Sequence, residues 1–112
     1  MTGNAAPHVV WPPYMHLTLG KRGGAHLIEN AAPLYVEEGF QFYFPDERTK
    51  DAAPISRDLD GATAAEFYYE LAMDKETKQW EQTFVKGVGY VDFKGVVGNT
   101  VASDGTKSNF KK

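Results

Sequence analysis

Glycine and proline interrupt this chain so often that most of it is cut into short segments bounded by turn residues. Short apolar segments of that kind are the pattern of strands joined by tight connections. Met15, Leu17 and Leu19 alternate with His16 and Thr18, which predicts a half-buried strand. Gly20-Lys21-Arg22-Gly23-Gly24 then reads as a turn, and residues 25–28 as the other arm of a hairpin. From Leu34 to Phe44 two strand pieces are expected around Glu37-Glu38-Gly39, with Phe40, Phe42 and Phe44 on one face. Pro45 is expected to end that strand, because proline donates nothing to a ladder.

Residues 64–84 fit two templates. As a strand, Phe67, Tyr69, Leu71 and Met73 share a face; as a helix, Thr63-Ala64-Ala65-Glu66 forms a capping box ahead of Tyr69, Ala72, Met73, Glu76 and Trp80. The strand is preferred, since Phe67-Tyr68-Tyr69 suits a pleated surface, with one short helix near 64–80 as the alternative. The glycines at 87, 89, 95 and 98 lie among Val88, Tyr90, Val91, Phe93, Val96 and Val97, a composition that points to bulges in a curved sheet. The fold class read from these segments is mostly β: a small β-sandwich or β-barrel-like domain over residues 15–98. An extended proline-rich arm over 1–14 precedes it, and a polar tail over 99–112 follows. Within that domain, residues 46–61 read as a long acidic loop around Pro54, the sort of segment where partner contacts concentrate.

A chain of 112 residues supports one core. With 42% hydrophobic and 13% aromatic residues it can build that core, and with no cysteine it must do so without disulfides or thiolate metal sites. Residues 1–28 carry a formal charge of +2, 29–60 carry −5, 61–86 carry −2 and 87–112 carry +2. A basic face interleaved with aromatics is what nucleic-acid binding requires, and here the aromatics sit mostly in the acidic middle, so nucleic acid is not expected as a partner. No apolar run is long enough to span a bilayer, so a membrane is not expected either, and the chain reads as soluble and unprocessed.

Catalytic chemistry is hard to find in the residues. His8, His16 and His26 with Glu29, Glu37 or Glu38 are the available donors for a two-histidine, one-carboxylate metal site, but the close histidine spacing of metal-binding barrels is absent. Ser56, Ser103 and Ser108 lack a nucleophile-elbow context, and Gly87-Val88-Gly89 lacks the later glycine of a phosphate loop. No catalytic residue, metal or cofactor is assigned. What remains is surface: Val9, Val10, Trp11, Pro12, Pro13 and Tyr14 as a partner-binding arm, and Tyr43, Tyr68 and Trp80 as rings on which a ligand stacks.

Asp60-Gly61-Ala62-Thr63, Glu70-Leu71-Ala72-Met73-Asp74, Thr83-Phe84-Val85-Lys86-Gly87 and Tyr90-Val91-Asp92 occur in an order that resembles lambda-type phage head decoration proteins over residues 60–93. The loop at 46–59 and the aromatic run Phe67-Tyr68-Tyr69 depart from that family's smaller residues. The resemblance implies a non-enzymatic virion subunit on the capsid surface that forms homo-oligomers, with a trimer as the family's state, and clamps coat protein with its N-terminal arm. Two other readings accompany it: a carbohydrate or small-ligand binding β module, and a metal-dependent β-barrel enzyme.

Overall fold

The computed structural model describes residues 1–55, 59–98, 100–101 and 107–108. Strand β1 (Phe44–Arg48) lies parallel to β2 (Glu81–Val85), with Phe44 opposite Glu81 and Arg48 opposite Val85. Helix α2 (Gly61–Met73) lies in the connection between them, because parallel neighbours need a long crossover that a hairpin cannot supply. The short β3 (Gly89–Tyr90) adds antiparallel to β2, giving the sheet order β1-β2-β3. A separate two-residue ladder joins β4 (Thr100–Val101) to β5 (Lys107–Ser108). The rest of the expected tail, Phe110 included, lies outside the described residues.

The mostly β expectation is therefore overturned: the molecule is mixed α/β, and neither sandwich nor barrel forms among the described residues. Residues expected to make the first hairpin instead lie in α1 (Met15–Leu34), which buries Thr18, Gly24, Ala25 and Ile28 on one side. The alternation of Met15, Leu17 and Leu19 misled because these side chains are exposed and mark no buried face. The glycine run stays helical despite its poor propensity, and a Cβ at Gly24 would displace only the end of the flexible Met1 side chain. Pro33 sits in the last turn, where it has no N–H to offer the Glu29 carbonyl, and the helix ends one residue later. Gly39, at φ 83°, makes the left-handed turn that closes the following 3-10 segment, Val36–Glu38.

The second correction concerns 64–73. A strand would bury Phe67, Tyr69, Leu71 and Met73 together, yet Phe67 and Leu71 are buried while Tyr69 and Met73 are 65% and 62% exposed. Spacing of four, not two, is the helical answer. The cap is Asp60, three residues before the expected box: its carboxylate accepts hydrogen bonds from Ala62 N (3.0 Å), Thr63 N (3.4 Å) and Thr63 Oγ1 (2.9 Å).

The third correction is at Pro45, which lies inside β1 and does not end the Phe40–Phe44 segment's strand; the ladder begins at Phe44. Pro45 is tolerated because β1 is the edge of its sheet.

Helices cover both faces of the β1-β2 pair. On one side Phe44 packs with Ala25 and Ile28 of α1, with Phe42 and Trp80 around them. On the other, Phe84 packs with Phe67 and Leu71 of α2, its ring stacked on Phe67 at 4.2 Å and 11°. Full burial of such side chains is worth roughly 1.5–3 kcal/mol each. The first fourteen residues, with 3-10 turns at Ala6–His8 and Pro12–Tyr14, lie along this frame. Met1 N donates to Tyr43 O (2.9 Å), Gly3 N to Pro45 O (2.8 Å), and Arg22 to the carbonyls of Ala6 and Val9. Gly3 is tightly placed: a Cβ there would lie 2.6 Å from Pro45 O.

Candidate functional site

Alternation along β1 and β2 puts Asp46 and Arg48 on the α1 side of the sheet, in register with Thr83 and Val85, with Glu81 one step earlier. Arg48 Nε and Asp46 Oδ2 are 2.6 Å apart, with side chains 1% and 2% exposed. The guanidinium also donates to Ala52 O (3.0 Å) and Val96 O (3.4 Å), so its charge is met on several sides. Burial still outweighs the Arg48 charge at the carboxyl, and Asp46 is pushed up to about 6. Above them His8 Nε2 meets Glu81 Oε1 at 2.5 Å, tying the first 3-10 turn to β2, while His8 Nδ1 is buried with no hydrogen-bond partner among the described residues. Thr83 Oγ1 donates to Val91 O (2.5 Å) and fastens the segment that follows β3.

This is a cluster of ionisable side chains drawn from three elements, with Asp46 and Arg48 fully buried and His8 and Glu81 partly so. The cavity beside it, bordered by His8, Arg48, Glu81, Tyr90 and Asp92, measures about 40 Å³. That volume admits a water and no organic substrate.

The second chemically notable place is the N-terminus of α2, where a βαβ unit of the dinucleotide-binding kind holds a diphosphate on a glycine-rich turn. Here residues 49–60 contain no glycine, and the Asp60 carboxylate takes the Ala62 and Thr63 donors itself. Lys86 Nζ lies 2.6 Å from Asp60 Oδ2, and these bonds hold the Asp60 carboxyl well below the usual carboxylate range. A second anion does not fit this turn.

The residues singled out from the sequence are spread over the frame. Val9 is buried beneath Arg22's bond to its carbonyl, Val10, Pro12 and Pro13 are exposed, and Trp11 packs on Tyr14 at 4.3 Å. Tyr43 and Tyr68 border a shared hollow on the α2 side, with the Tyr43 hydroxyl accepting from Lys78 N (3.3 Å). Trp80 is in the other layer, 6.2 Å from Phe44. His16 and His26 lie exposed on α1, apart from His8, and among the described residues no group of three histidine or acidic side chains is placed to hold a metal ion. Sequence reasoning missed the Asp46-Arg48 pair. Opposite charges two apart beside Phe44 were the available signal, and reading Pro45 as a strand terminator hid it.

No protein-family model and no solved structure matches the chain. Over 92 residues it is 44% identical to "Short chain dehydrogenase/reductase dmxR12" of Cryptosporiopsis sp. (strain 8999), a match covering 82% of this chain and 37% of that protein. The chain thus spans little more than a third of the curated relative's length. This similarity overturns the decoration-protein resemblance, which rested on short motifs over residues 60–93. With it go the expected non-enzymatic virion role and capsid placement. Among the described residues no helix is long and apolar enough to cross a membrane.

Proposed function

We propose that the chain works as part of an oxidoreductase of the kind its relative's name describes, a short-chain dehydrogenase/reductase, and that it supplies a wall of the substrate side and not the dinucleotide cradle. The single observation that carries this is the 44% identity over 92 residues. The parallel β1-α2-β2 unit is compatible with such an enzyme, since open α/β sheets place ligands beyond the carboxyl ends of their strands. The division of labour follows from Asp60, whose carboxylate fills the place a diphosphate would take.

A chimera tests the reading. The matching stretch of the relative is replaced by the corresponding residues of this chain, and NADH- or NADPH-coupled reduction of a panel of ketones and quinones is followed against the unaltered relative. Retained turnover is the expected result; a chimera that folds by circular dichroism but has lost turnover overturns it. The isolated chain, titrated with NADH or NADPH, is expected to give no saturable change in tryptophan fluorescence, and saturation would overturn the assignment to the substrate side.

A further inference from the structure

At the carboxyl end of β1 a hollow of about 220 Å³ opens between the N-terminal segment, the residues after β1 and the first turns of α2. Its floor is Phe84, 1% exposed and fixed by stacking on Phe67. Tyr68 and Ala64 of α2 form one side, Ile55 and Leu59 the other. Leu59 is 75% exposed, so its apolar surface stands uncovered at this mouth. A dry cavity of about 150 Å³ accommodates benzene, so the hollow has room for one ring with small substituents.

The polar groups at the rim set what that ring carries. The Ala62 and Thr63 amide donors of α2 are spent on Asp60, whose charge is met by Lys86. Glu47 borders the hollow and carries no hydrogen bond among the described residues. Burial and the neighbouring Asp60 charge raise its pKa, the Lys86 charge offsetting only part of the rise, so this carboxylate gains from a donor. An anion meets the carboxylates of Glu47 and Asp60, with Asp46 also bordering the hollow; a neutral ring with a hydroxyl or amine meets an acceptor in reach of apolar walls.

We infer that this hollow binds a small neutral aromatic molecule bearing a hydrogen-bond donor, with Glu47 as acceptor and Phe84, Tyr68 and Leu59 as the walls around the ring. The inference is independent of the proposed oxidoreductase activity, because it uses only this hollow and its rim.

Four compounds of one shape separate the contributions: p-cresol, p-toluidine, toluene and p-toluate, titrated into the whole chain at neutral pH with backbone amide NMR as the readout. Saturable shifts of Ala64, Tyr68 and Phe84 are expected with p-cresol, p-toluidine or both, and the pair distinguishes hydroxyl from amine. Toluene is expected to bind about tenfold more weakly, the cost of leaving a charge-assisted hydrogen bond unmade, and p-toluate not at all. Glu47→Ala is expected to remove the advantage of the donors over toluene while leaving toluene's own affinity in place. Ala64→Phe is expected to abolish binding of all three neutral compounds. Binding of toluene as tight as that of both donor compounds, binding of p-toluate, shifts confined to other surfaces, or no response to either donor compound would overturn the inference.

Discussion

Asp46 makes the clearest single-residue argument. Its carboxyl is pushed up to about 6 in the folded protein against an ordinary 3.8, because burial costs the charged form more than Arg48 returns. A folded pKa above the unfolded one means that the folded state binds the proton more tightly between those values. Stability from this residue is therefore fully present below about pH 4 and lost as pH rises through about 6. Relative to Asp46→Asn, the wild type should gain on the order of 1–3 kcal/mol as pH falls from 7 to 4, measured by urea melts of both proteins across that range; a difference that does not change with pH sinks the assignment. Arg48 behaves otherwise. Its carbonyl partners Ala52 and Val96 remain when Asp46 is protonated, but Arg48→Met leaves a buried carboxylate unpaired at neutral pH and should cost roughly 3–5 kcal/mol. Neither residue stood out in the sequence, where charge next to Phe44-Pro45 reads as loop; only the edge position of β1 makes that proline compatible with a strand.

At the scale of elements, α2 shows why the chain was legible in parts. Both periodicities were present over 64–73, and aromatic composition favoured the wrong one. The deciding quantity is which side chains meet Phe84, and that depends on a strand more than ten residues away. The helix reading makes Phe67 and Tyr69 unequal, whereas a strand would make them alike. Phe67→Ala should cost about 3–5 kcal/mol of stability, and Tyr69→Ala should stay within about 0.5 kcal/mol; comparable losses in chemical denaturation would contradict the observed face. Cap chemistry gives a second check. Asp60→Ala should lower the melting temperature and Asp60→Asn should lower it less, since asparagine keeps a cap acceptor but not the Lys86 pair. In α1 the misreading had a different origin. Gly20 and Gly23 have open space where a Cβ would be, so nothing about their surroundings requires glycine, and a Cβ at Gly24 would push aside only the end of the Met1 side chain. A run read as a turn from composition thus continues a helix whose support comes from Ala25 and Ile28 on Phe44.

For the molecule as a whole, the function was less legible than the fold because the groups with unusual chemistry are assembled from distant segments. His8 and Glu81 are 73 positions apart, and no local motif announces their contact. Likewise the absence of a glycine-rich turn could be read from residues 49–60, but that Asp60 fills the helix terminus follows only from geometry. The same long-range construction yields two apolar clusters that share no residue, one on each face of the β1-β2 pair: Ala25, Ile28 and Phe44 against Phe67, Leu71 and Phe84. Side chains separated by a sheet and without common partners should act independently. Ile28→Ala and Leu71→Ala are each expected to cost roughly 2–5 kcal/mol, and the double variant to lose their sum within about 0.5 kcal/mol. If the double variant is too unstable to melt, Ile28→Val with Leu71→Met carries the same comparison at smaller cost. A coupling above about 1 kcal/mol in either cycle would mean that strain passes through β1 and β2, and that the two helical layers do not pack as separate cores.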